Sequence, residues 1–282
     1  MPASELSLIT RFLAKKLVSG FQLAIGKSPF VDFAVPPYDL MRRTSAKSLW
    51  DYYQSGLRTY LPIAVLAEHE GVRLRSSINV LDFGCGVGRQ LLHFCREYPC
   101  PAYFACDVQP RHLEFIQRAY PHVTAYTSGF APPLAYDANH FDMVYSVSVF
   151  SHLHPDDHVP WLRELSRVVR PGGYAFLTIE GATAMRRRMA TKVWHEKPDE
   201  GVAVLDRDGV RFAEYDDLEW HKAHEDDKFA GAKYGGITGS YGNTVMTPAY
   251  VRKHWSGAGF DVKSIVEGVI DRRQDVVVLR KI

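Results

Sequence analysis

The residues whose types and spacing are best suited to ligand binding form the string Val80-Leu81-Asp82-Phe83-Gly84-Cys85-Gly86-Val87-Gly88-Arg89. The string follows an apolar run and opens a helix-like stretch. Glycines at such a junction let the backbone turn sharply and approach a ligand closely, and the helix N-terminus behind them offers N–H groups to an anion. The spacing D-x-G-x-G-x-G differs from the dinucleotide fingerprint G-x-G-x-x-G, which disfavours a dinucleotide-dependent oxidoreductase.

Two carboxylates accompany the glycines. Asp82 stands at the end of the apolar run, before the first glycine, and suits a ligand that carries an ammonium group. Asp107 ends the next apolar run, where a carboxylate can accept hydrogen bonds from both hydroxyls of a ribose. The two positions therefore predict a ligand with an ammonium group and a ribose.

Three residues are candidates for catalysis or substrate contact. His152 and His154 follow a later apolar run, at the carboxyl edge of a parallel sheet where ligands bind, and a histidine has an ordinary pKa of about 6.5. His152 is the first candidate for a general base and His154 the second; the alternative is that they only shape the loop. Tyr241 is flanked by glycines and could contact a substrate or cofactor, or could be an ordinary packing tyrosine in a turn.

The elements that must position these residues alternate between strands and helices from residue 79 onward, which is typical of a parallel sheet. The sequence predicts buried strands over Ile78–Phe83, Ala102–Cys106, Met143–Val149 and Tyr174–Ile179, and helices over Gln90–Glu97, Arg111–Tyr120 and His158–Val169. The last helix ends at Arg170-Pro171-Gly172-Gly173, read as a helix stop and a tight turn. A helix over Ala249–Ala258 and two strands, Phe260–Val266 and Asp275–Leu279, close the chain.

Helices are also expected before the glycine string. Leu6–Ile25 has apolar residues at helical spacing, and we expect it to pack on the body or on a partner subunit, or to lie on a membrane surface. The prolines of Ser28–Tyr38 indicate a linker. Between Ser45 and His69 we expect two helices, with a break near Ser55-Gly56.

The periodic pattern disappears after Glu180 and returns at about Pro248. A stretch of that length is too long for an ordinary loop, and its aromatic residues favour an ordered lid over a disordered segment. The expected organisation is an N-terminal helical cover over 1–75, a ligand-binding core over 76–180, an inserted substrate lid over 181–247, and a final helix and two strands over 248–282 that complete the core.

Composition narrows the class of protein. The chain has 282 residues, of which 46% are hydrophobic, so it can bury a sizeable core and is not mainly disordered. Its 34 Lys and Arg against 32 Asp and Glu give a net charge of +2, too near neutral to indicate nucleic-acid or broad membrane attraction. Its apolar runs are strand-sized, so no integral membrane segment is expected. Four cysteines without a C-x-x-C pair fit reduced thiols in a cytoplasmic protein, with no metal site.

The glycine string, Asp107, the run Phe141–Ser146 and the turn Arg170–Gly173 together resemble the class I S-adenosylmethionine-dependent methyltransferases, whose core is a seven-stranded Rossmann-like sheet. The resemblance covers residues 76–180 and 248–282. It implies a doubly wound α/β fold with a mostly parallel sheet, and S-adenosylmethionine as cofactor with S-adenosylhomocysteine as product. The cofactor-binding residues that it implies are Asp82, Gly84, Cys85, Gly86, Gly88, Asp107, Val108, Gly129, Phe130, Ser146 and Val147.

A narrower resemblance, to bacterial methyltransferases of small molecules and glycans, involves the segment Pro36–Met41, Ser55-Gly56 and Gln274-Asp275. It implies methylation of a small molecule or glycan. We expect the methylated atom to be oxygen, with His152 as the base. The motif Pro-Pro-Tyr of base-methylating enzymes follows their fourth strand, whereas here Pro36-Pro37-Tyr38 precedes the glycine string, so no nucleic-acid partner is expected. Alternatives that stay open are an N-methyltransferase, an oxidoreductase, a catalytically silent cofactor-binding protein, and a homodimer of any of these.

Overall fold

The computed structural model describes residues 33–44, 46–181, 183–184, 205–214 and 241–282. These residues group into two compact units. The first combines the residues up to Asn79 with Cys85–Thr127, and the second combines Val80–Gly84 with the residues from Ser128 on. The amphipathic segment Leu6–Ile25 and most of the predicted lid (182, 185–204 and 215–240) lie outside the described residues.

The first unit begins with two helices, α1 (Tyr38–Arg43) and α2 (Leu49–His69). Ser48 caps α2, because its hydroxyl accepts the N–H of Asp51 at 3.1 Å. The sequence predicted a break in α2 near Ser55-Gly56, and that prediction is wrong: the helix is continuous. Gly56 is buried against Arg89, and a Cβ there would collide with the Arg89 carbonyl oxygen. The glycine at this position permits close packing and does not end the helix.

The rest of the first unit alternates helix and strand. The sequence predicted its two helices and its first strand, whereas the short strand over Thr124–Thr127 was not among the predicted strands. Its elements are α3 (Leu91–Glu97), β2 (Ala102–Asp107), α4 (Pro110–Ala119) and β3 (Thr124–Thr127). Strands β2 and β3 pair in parallel from Phe104↔Thr124 to Asp107↔Thr127. Parallel pairing places both carboxyl ends at one edge, so Asp107 stands where ligands of open α/β sheets bind.

The second unit contains the longer strands. Its elements are β1 (Asn79–Phe83), β4 (Phe141–Ser146), α5 (Pro155–Val168), β5 (Val169–Glu180), α6 (Pro248–Trp255), β8 (Phe260–Ile270) and β9 (Gln274–Lys281). The strand order is β1-β4-β5-β9-β8, with β1, β4 and β5 parallel and β9 antiparallel to β5 and β8. Because β9 is antiparallel, its first residues lie beside the last residues of β5, as in the pair Glu180↔Gln274.

The segment Arg170–Gly173 differs from its predicted conformation. Strand β5 begins at Val169, directly after α5, and includes this segment, which was predicted to be a tight turn. The register with β4 shifts between Phe141↔Val169 and Met143↔Tyr174, so the extra residues form a bulge. Gly172 has φ +75°, a value that favours glycine and that bends the strand there.

A hairpin lies inside the predicted lid, where the sequence showed no strand pattern. Strands β6 (Val210–Glu214) and β7 (Gly242–Met246) pair antiparallel, and β7 touches β5 at the single register pair Glu180↔Val245. The described residues therefore contain nine strands, of which six correspond to strands that the sequence predicted; the other three are β3, β6 and β7. No helix in the described ranges combines the length and apolar character needed to cross a membrane.

Candidate active site

The glycine string forms a turn between β1 and α3. Gly86 and Gly88 have φ values of +53° and +73°, in the left-handed region that side chains with a Cβ rarely adopt. A Cβ on Gly86 would lie 2.9 Å from the Thr44 methyl group, and one on Gly88 would lie 2.6 Å from Ile116. Glycine is therefore required at these positions for both conformation and space.

Helix α2 braces this turn through polar contacts. The hydroxyl of Tyr52 donates to the carbonyl of Val87 at 2.9 Å, and Tyr52 is fully buried. The amide of Gln90 donates to the hydroxyl of Thr59 at 2.9 Å. Arg89 donates to the carbonyl of Thr44 at 3.0 Å. The glycine turn is thus held by the N-terminal helices of its own unit.

Asp107 lies next to the turn, as predicted, and its carboxylate accepts three hydrogen bonds from the protein. Its Oδ2 accepts the N–H of Gly86 at 2.8 Å, and its Oδ1 accepts the N–H of Gln109 at 2.9 Å. The third donor, Nδ1 of His112, lies 3.2 Å from Oδ1. His112 was not among the residues that the sequence predicted for the site. The signal available there was a histidine in the first turn of the helix after Asp107. Val108, which follows Asp107, is half-buried.

Cys85 begins the part of the turn that belongs to the first unit. Its N–H donates to the carbonyl of Cys106 at 3.0 Å, and its side chain is buried. This bond ties the turn to β2 one residue before Asp107. The first unit therefore brings together Cys85, Gly86, Gly88 and Asp107 as the sequence predicted.

In the second unit, the predicted cofactor residues stand at the carboxyl ends of β1 and β4. Asp82 is 2% exposed and accepts the hydroxyl of Tyr145 at 3.0 Å. The buried hydroxyl of Ser146 donates to the carbonyl of Phe83 at 2.8 Å, and Val147 follows half-buried. These side chains join the ends of the two strands directly before Gly84.

Gly129 and Phe130, which are also among the predicted cofactor-binding residues, lie on the loop between β3 and β4. Gly129 is exposed, and Phe130 keeps 41% of its surface exposed, which is unusual for so large an apolar side chain. The loop is anchored further along by α5. Glu164 accepts the N–H of Leu134 at 2.7 Å, and Arg167 donates to the carbonyls of Leu134 and Tyr136.

The structure brings together two of the three candidate catalytic residues, His152 and Tyr241. Their rings lie 5.5 Å apart, and Leu153 forms a β-bridge with Tyr241. The ring Nδ1 of His152 lies 2.9 Å from the carbonyl oxygen of Gly242. Because a carbonyl oxygen only accepts, Nδ1 carries the proton, and the neutral ring has its lone pair at Nε2.

His154 has a different environment. It is the N-cap of α5, where its Nδ1 accepts the N–H of Asp156 at 3.2 Å. Its ring packs edge-on against Phe212 of β6 at 4.7 Å. In the structure, His154 therefore caps a helix and packs against a neighbouring strand.

Polar residues that the sequence did not single out as site residues surround the ends of β4, β5 and β9. Ser148 has φ +62°, donates its N–H to Thr178 at 2.8 Å and accepts from the amide of Gln274 at 2.9 Å. Asp275 is fully buried and accepts the N–H of Gly268 at 2.7 Å. Burial raises the pKa of Asp275 to about 6. The left-handed backbone of Ser148 depends on long-range contacts, so a single sequence does not reveal it.

Comparison with known proteins identifies the class of the domain. Residues 80–173 match the family model described as a methyltransferase domain. The chain also resembles the solved structure of a Burkholderia thailandensis 1,6-didemethyltoxoflavin-N1-methyltransferase, with a TM-score of 0.53 and 17% identity over 89% of this chain and 93% of that one. That likeness shows the fold. The predicted Rossmann-like methyltransferase fold is confirmed.

Two curated relatives are similar over part of their length. A fatty-acid O-methyltransferase of Mycolicibacterium smegmatis is 32% identical over 43% of this chain and 42% of its own length. A probable phthiotriol/phenolphthiotriol dimycocerosates methyltransferase of Mycobacterium ulcerans is 34% identical over 35% of this chain and 38% of its own length. The chain therefore spans less than half the length of these relatives.

Proposed function

We propose that the protein transfers a methyl group from S-adenosylmethionine to a hydroxyl group of a small molecule or glycan, with His152 as the general base. S-adenosylmethionine supplies an activated methyl group on a sulfonium. The chain must therefore align donor and acceptor, exclude water and remove the hydroxyl proton. The observation that carries the proposal is the hydrogen bond between His152 and Gly242.

The residues of the first unit fit a nucleoside ligand. Gly86 and Gly88 let the turn adopt left-handed backbone conformations and pack closely on Thr44 and Ile116, which a Cβ at either position would prevent. The Asp107 carboxylate is fixed by three N–H groups, so it is oriented before a ligand arrives. We assign the ribose to Asp107 and the amino-acid end to the turn Gly84–Gly88 with Cys85. The remaining proposed cofactor residues are Asp82, Val108, Gly129, Phe130, Ser146 and Val147.

His152 is suited to accept a proton because its tautomer is fixed. The Gly242 carbonyl, 2.9 Å from Nδ1, requires a proton on that nitrogen, so the basic site of the neutral ring is Nε2. When Nε2 takes the proton of an attacking hydroxyl, the positive charge that forms on the ring is stabilised by the same carbonyl dipole. Tyr241, 5.5 Å from His152 between ring centroids, is the proposed contact to the acceptor.

We propose oxygen as the methylated atom because a base with a fixed tautomer, such as His152, is needed for a hydroxyl acceptor but not for a neutral amine. A hydroxyl has a pKa far above neutral, whereas a neutral amine can attack a methyl group before it loses a proton. The name of the M. smegmatis relative, a fatty-acid O-methyltransferase, supports the same choice. The B. thailandensis structure is that of an N1-methyltransferase, so nitrogen acceptors are the comparison to include in any assay.

We also propose that residues 181–247 act as a lid over the acceptor. The described end of this segment packs on the loop that carries the base. Gly242 donates its N–H to the carbonyl of His152 at 2.8 Å, and Thr244 donates to the carbonyl of Ser151 at 2.8 Å. Movement of β7 would therefore move the partner that fixes the His152 ring.

The experiment that tests the function measures S-adenosylhomocysteine released from S-adenosylmethionine in the presence of matched acceptor panels. The panels are fatty acids, phenols and sugars on one side, and their amine counterparts on the other. We expect release with the hydroxyl acceptors and none without an acceptor. Release with fatty acids alone would show methylation of an ionised carboxylate, which needs no general base. Release with amines alone would replace O-methylation by N-methylation. Binding of S-adenosylhomocysteine with no release from any panel or from cell extract would favour a silent cofactor-binding protein.

A further inference from the structure

The Asp107 carboxylate has fewer acceptor positions left than a ribose with two hydroxyls needs. Each oxygen of an ionised carboxylate offers about two lone-pair positions. Oδ1 accepts from both Gln109 N–H and His112 Nδ1, at 2.9 and 3.2 Å. Among the residues that the structure describes, Oδ2 accepts only the N–H of Gly86, at 2.8 Å. One lone-pair position therefore remains, and it belongs to Oδ2.

The three donors are not equivalent. The Gln109 bond is a local turn two residues after Asp107, of the kind that aspartate makes before a helix. The Gly86 bond clamps the glycine turn to the end of β2. His112 contributes through a side chain, so it alone can be changed without altering a backbone N–H.

The His112 ring is held in place by its position in the fold. It stands in the first turn of α4, it is 6% exposed, and only 8% of its side chain and 11% of the Asp107 side chain reach solvent. Because an ionised carboxylate only accepts, the His112 nitrogen donates. A buried donor of this kind loses its hydrogen bond if the carboxylate oxygen turns to another partner, so the contact with Oδ1 is favoured over its exchange for a ribose hydroxyl.

We infer that His112 is a positioning and specificity residue: it saturates Oδ1 of Asp107, so that the cofactor ribose is recognised through Oδ2 by one hydroxyl only. This inference rests on the proposed function, because it assumes that Asp107 binds the ribose of S-adenosylmethionine. It replaces the expectation that Asp107 accepts both hydroxyls equally.

Calorimetric titrations with S-adenosylhomocysteine and its 2′-deoxy and 3′-deoxy analogues test the inference. For the wild-type protein we expect one analogue to bind at least about tenfold more weakly, as befits a lost hydrogen bond to a charged group, and the other to lose less than about threefold. In His112→Leu, Oδ1 is released, and the second analogue should then lose at least about fivefold relative to S-adenosylhomocysteine.

His112→Asn is the matched control, because its side-chain amide can place a donor where Nδ1 lies. It should keep the wild-type pattern, which a purely structural effect of shortening the side chain would not do. Unfolding midpoints of both variants show whether each is folded.

Equal losses for the two analogues in the wild-type protein would overturn the inference. So would a His112→Leu variant whose pattern equals that of the wild type. In both cases S-adenosylhomocysteine still binds, and the proposed cofactor stands. No binding of S-adenosylhomocysteine to the wild-type protein would instead overturn both the inference and the proposed function.

Discussion

At the residue scale, the hydrogen bond from His152 to the Gly242 carbonyl fixes the tautomer on which the proposed role of His152 as a general base depends. The sequence placed His152 after a buried strand, and the spacing of chain positions 152 and 241 gave no sign that they meet. The structure shows that a strand from the predicted lid supplies the carbonyl that fixes the ring. The proposed role of His152 therefore depends on a contact across about ninety residues of chain.

His152→Ala should lower kcat by about 10²–10⁴-fold, the usual contribution of a general base. Affinity for S-adenosylhomocysteine should stay nearly unchanged, because His152 is not among the proposed cofactor residues. The wild-type rate should rise with pH through the range where an ordinary histidine titrates, near about 6.5, and the variant should lack that rise. The measurement is the pH profile of S-adenosylhomocysteine release with the best acceptor.

His154→Ala is the control for the His152 substitution. It removes the N-cap contact to Asp156, which should lower the free energy of unfolding by about 1 kcal/mol while kcat stays near the wild-type value. A His152→Ala protein with the wild-type kcat and pH profile would remove His152 from catalysis and would transfer its role to His154, Tyr241 or simple proximity.

Asp275 should make stability depend on pH in the direction opposite to most carboxyl groups. Burial raises its folded-state pKa to about 6, above the unfolded value of about 3.9. The protonated form is therefore favoured in the folded protein, and its stabilising effect is full below about pH 4 and is lost as the pH rises to about 6. Asp275→Asn keeps the acceptor for Gly268 N–H but cannot ionise.

The measurement is the difference in free energy of unfolding between Asp275→Asn and the wild type, from urea titrations at several pH values. The variant should gain on the order of 2 kcal/mol relative to the wild type between about pH 4 and pH 7. A difference that does not change over this range would mean that Asp275 is as well solvated in the folded protein as in the unfolded chain.

At the element scale, helix α2 is the clearest case in which packing overrides a local pattern. If Gly56 were only a weak point in a helix, Gly56→Ala would stabilise the protein, because alanine is favoured in helices by about 1 kcal/mol. The collision of a Cβ with the backbone of Arg89 predicts the opposite sign. We expect a net loss of about 1–2 kcal/mol in the free energy of unfolding.

Gln54→Ala, at a half-buried position two residues earlier in α2, is the matched control and should change stability by less than about 0.5 kcal/mol. Thermal unfolding of the two variants gives the comparison. A more stable Gly56→Ala protein would contradict the packing explanation and would restore the idea of a helix weakened at Ser55-Gly56.

The hairpin of β6 and β7 allows the lid proposal to be tested without removing the partner of His152. Replacing residues 215–240 by a short glycine-serine linker keeps both strands and the Gly242 carbonyl. We expect the shortened protein to bind S-adenosylhomocysteine with the wild-type affinity and to lose nearly all turnover. A shortened protein that folds and methylates its acceptor at the normal rate would show that the segment is not a lid.

Elements were predictable where burial alone decides them. The runs that became β1, β2, β4 and β9 are apolar on both faces, so the sequence located them to within a few residues. The sequence failed where a distant partner decides. Gly56 is needed for close packing against Arg89, and the bulge at Arg170–Gly173 follows from a shift in the pairing with β4. The hairpin forms from two short strands that are far apart in the chain.

At the scale of the whole molecule, ligand-linked stability distinguishes the proposed methyltransferase from an oxidoreductase with a similar sheet. A ligand that binds only the folded protein stabilises it by RT ln(1 + [L]/Kd), which is about 2.7 kcal/mol at one hundred times Kd. For a chain of this size that corresponds to an increase in Tm of roughly 5–10 °C. S-adenosylhomocysteine should produce this shift, and NAD at the same concentration should produce none.

The physical reason lies in the loop between β1 and α3. The dinucleotide fingerprint places its third glycine three residues after the second, where the pyrophosphate meets the helix N-terminus, whereas here Gly88 follows Gly86 by two residues and packs against Ile116. Asp107→Ala, which removes the proposed ribose acceptor, should abolish most of the shift caused by S-adenosylhomocysteine. Because Asp107 also holds the N–H of Gly86, the variant should have a lower Tm without ligand as well. A Tm that rises with NAD and not with S-adenosylhomocysteine would reverse the assignment of the cofactor.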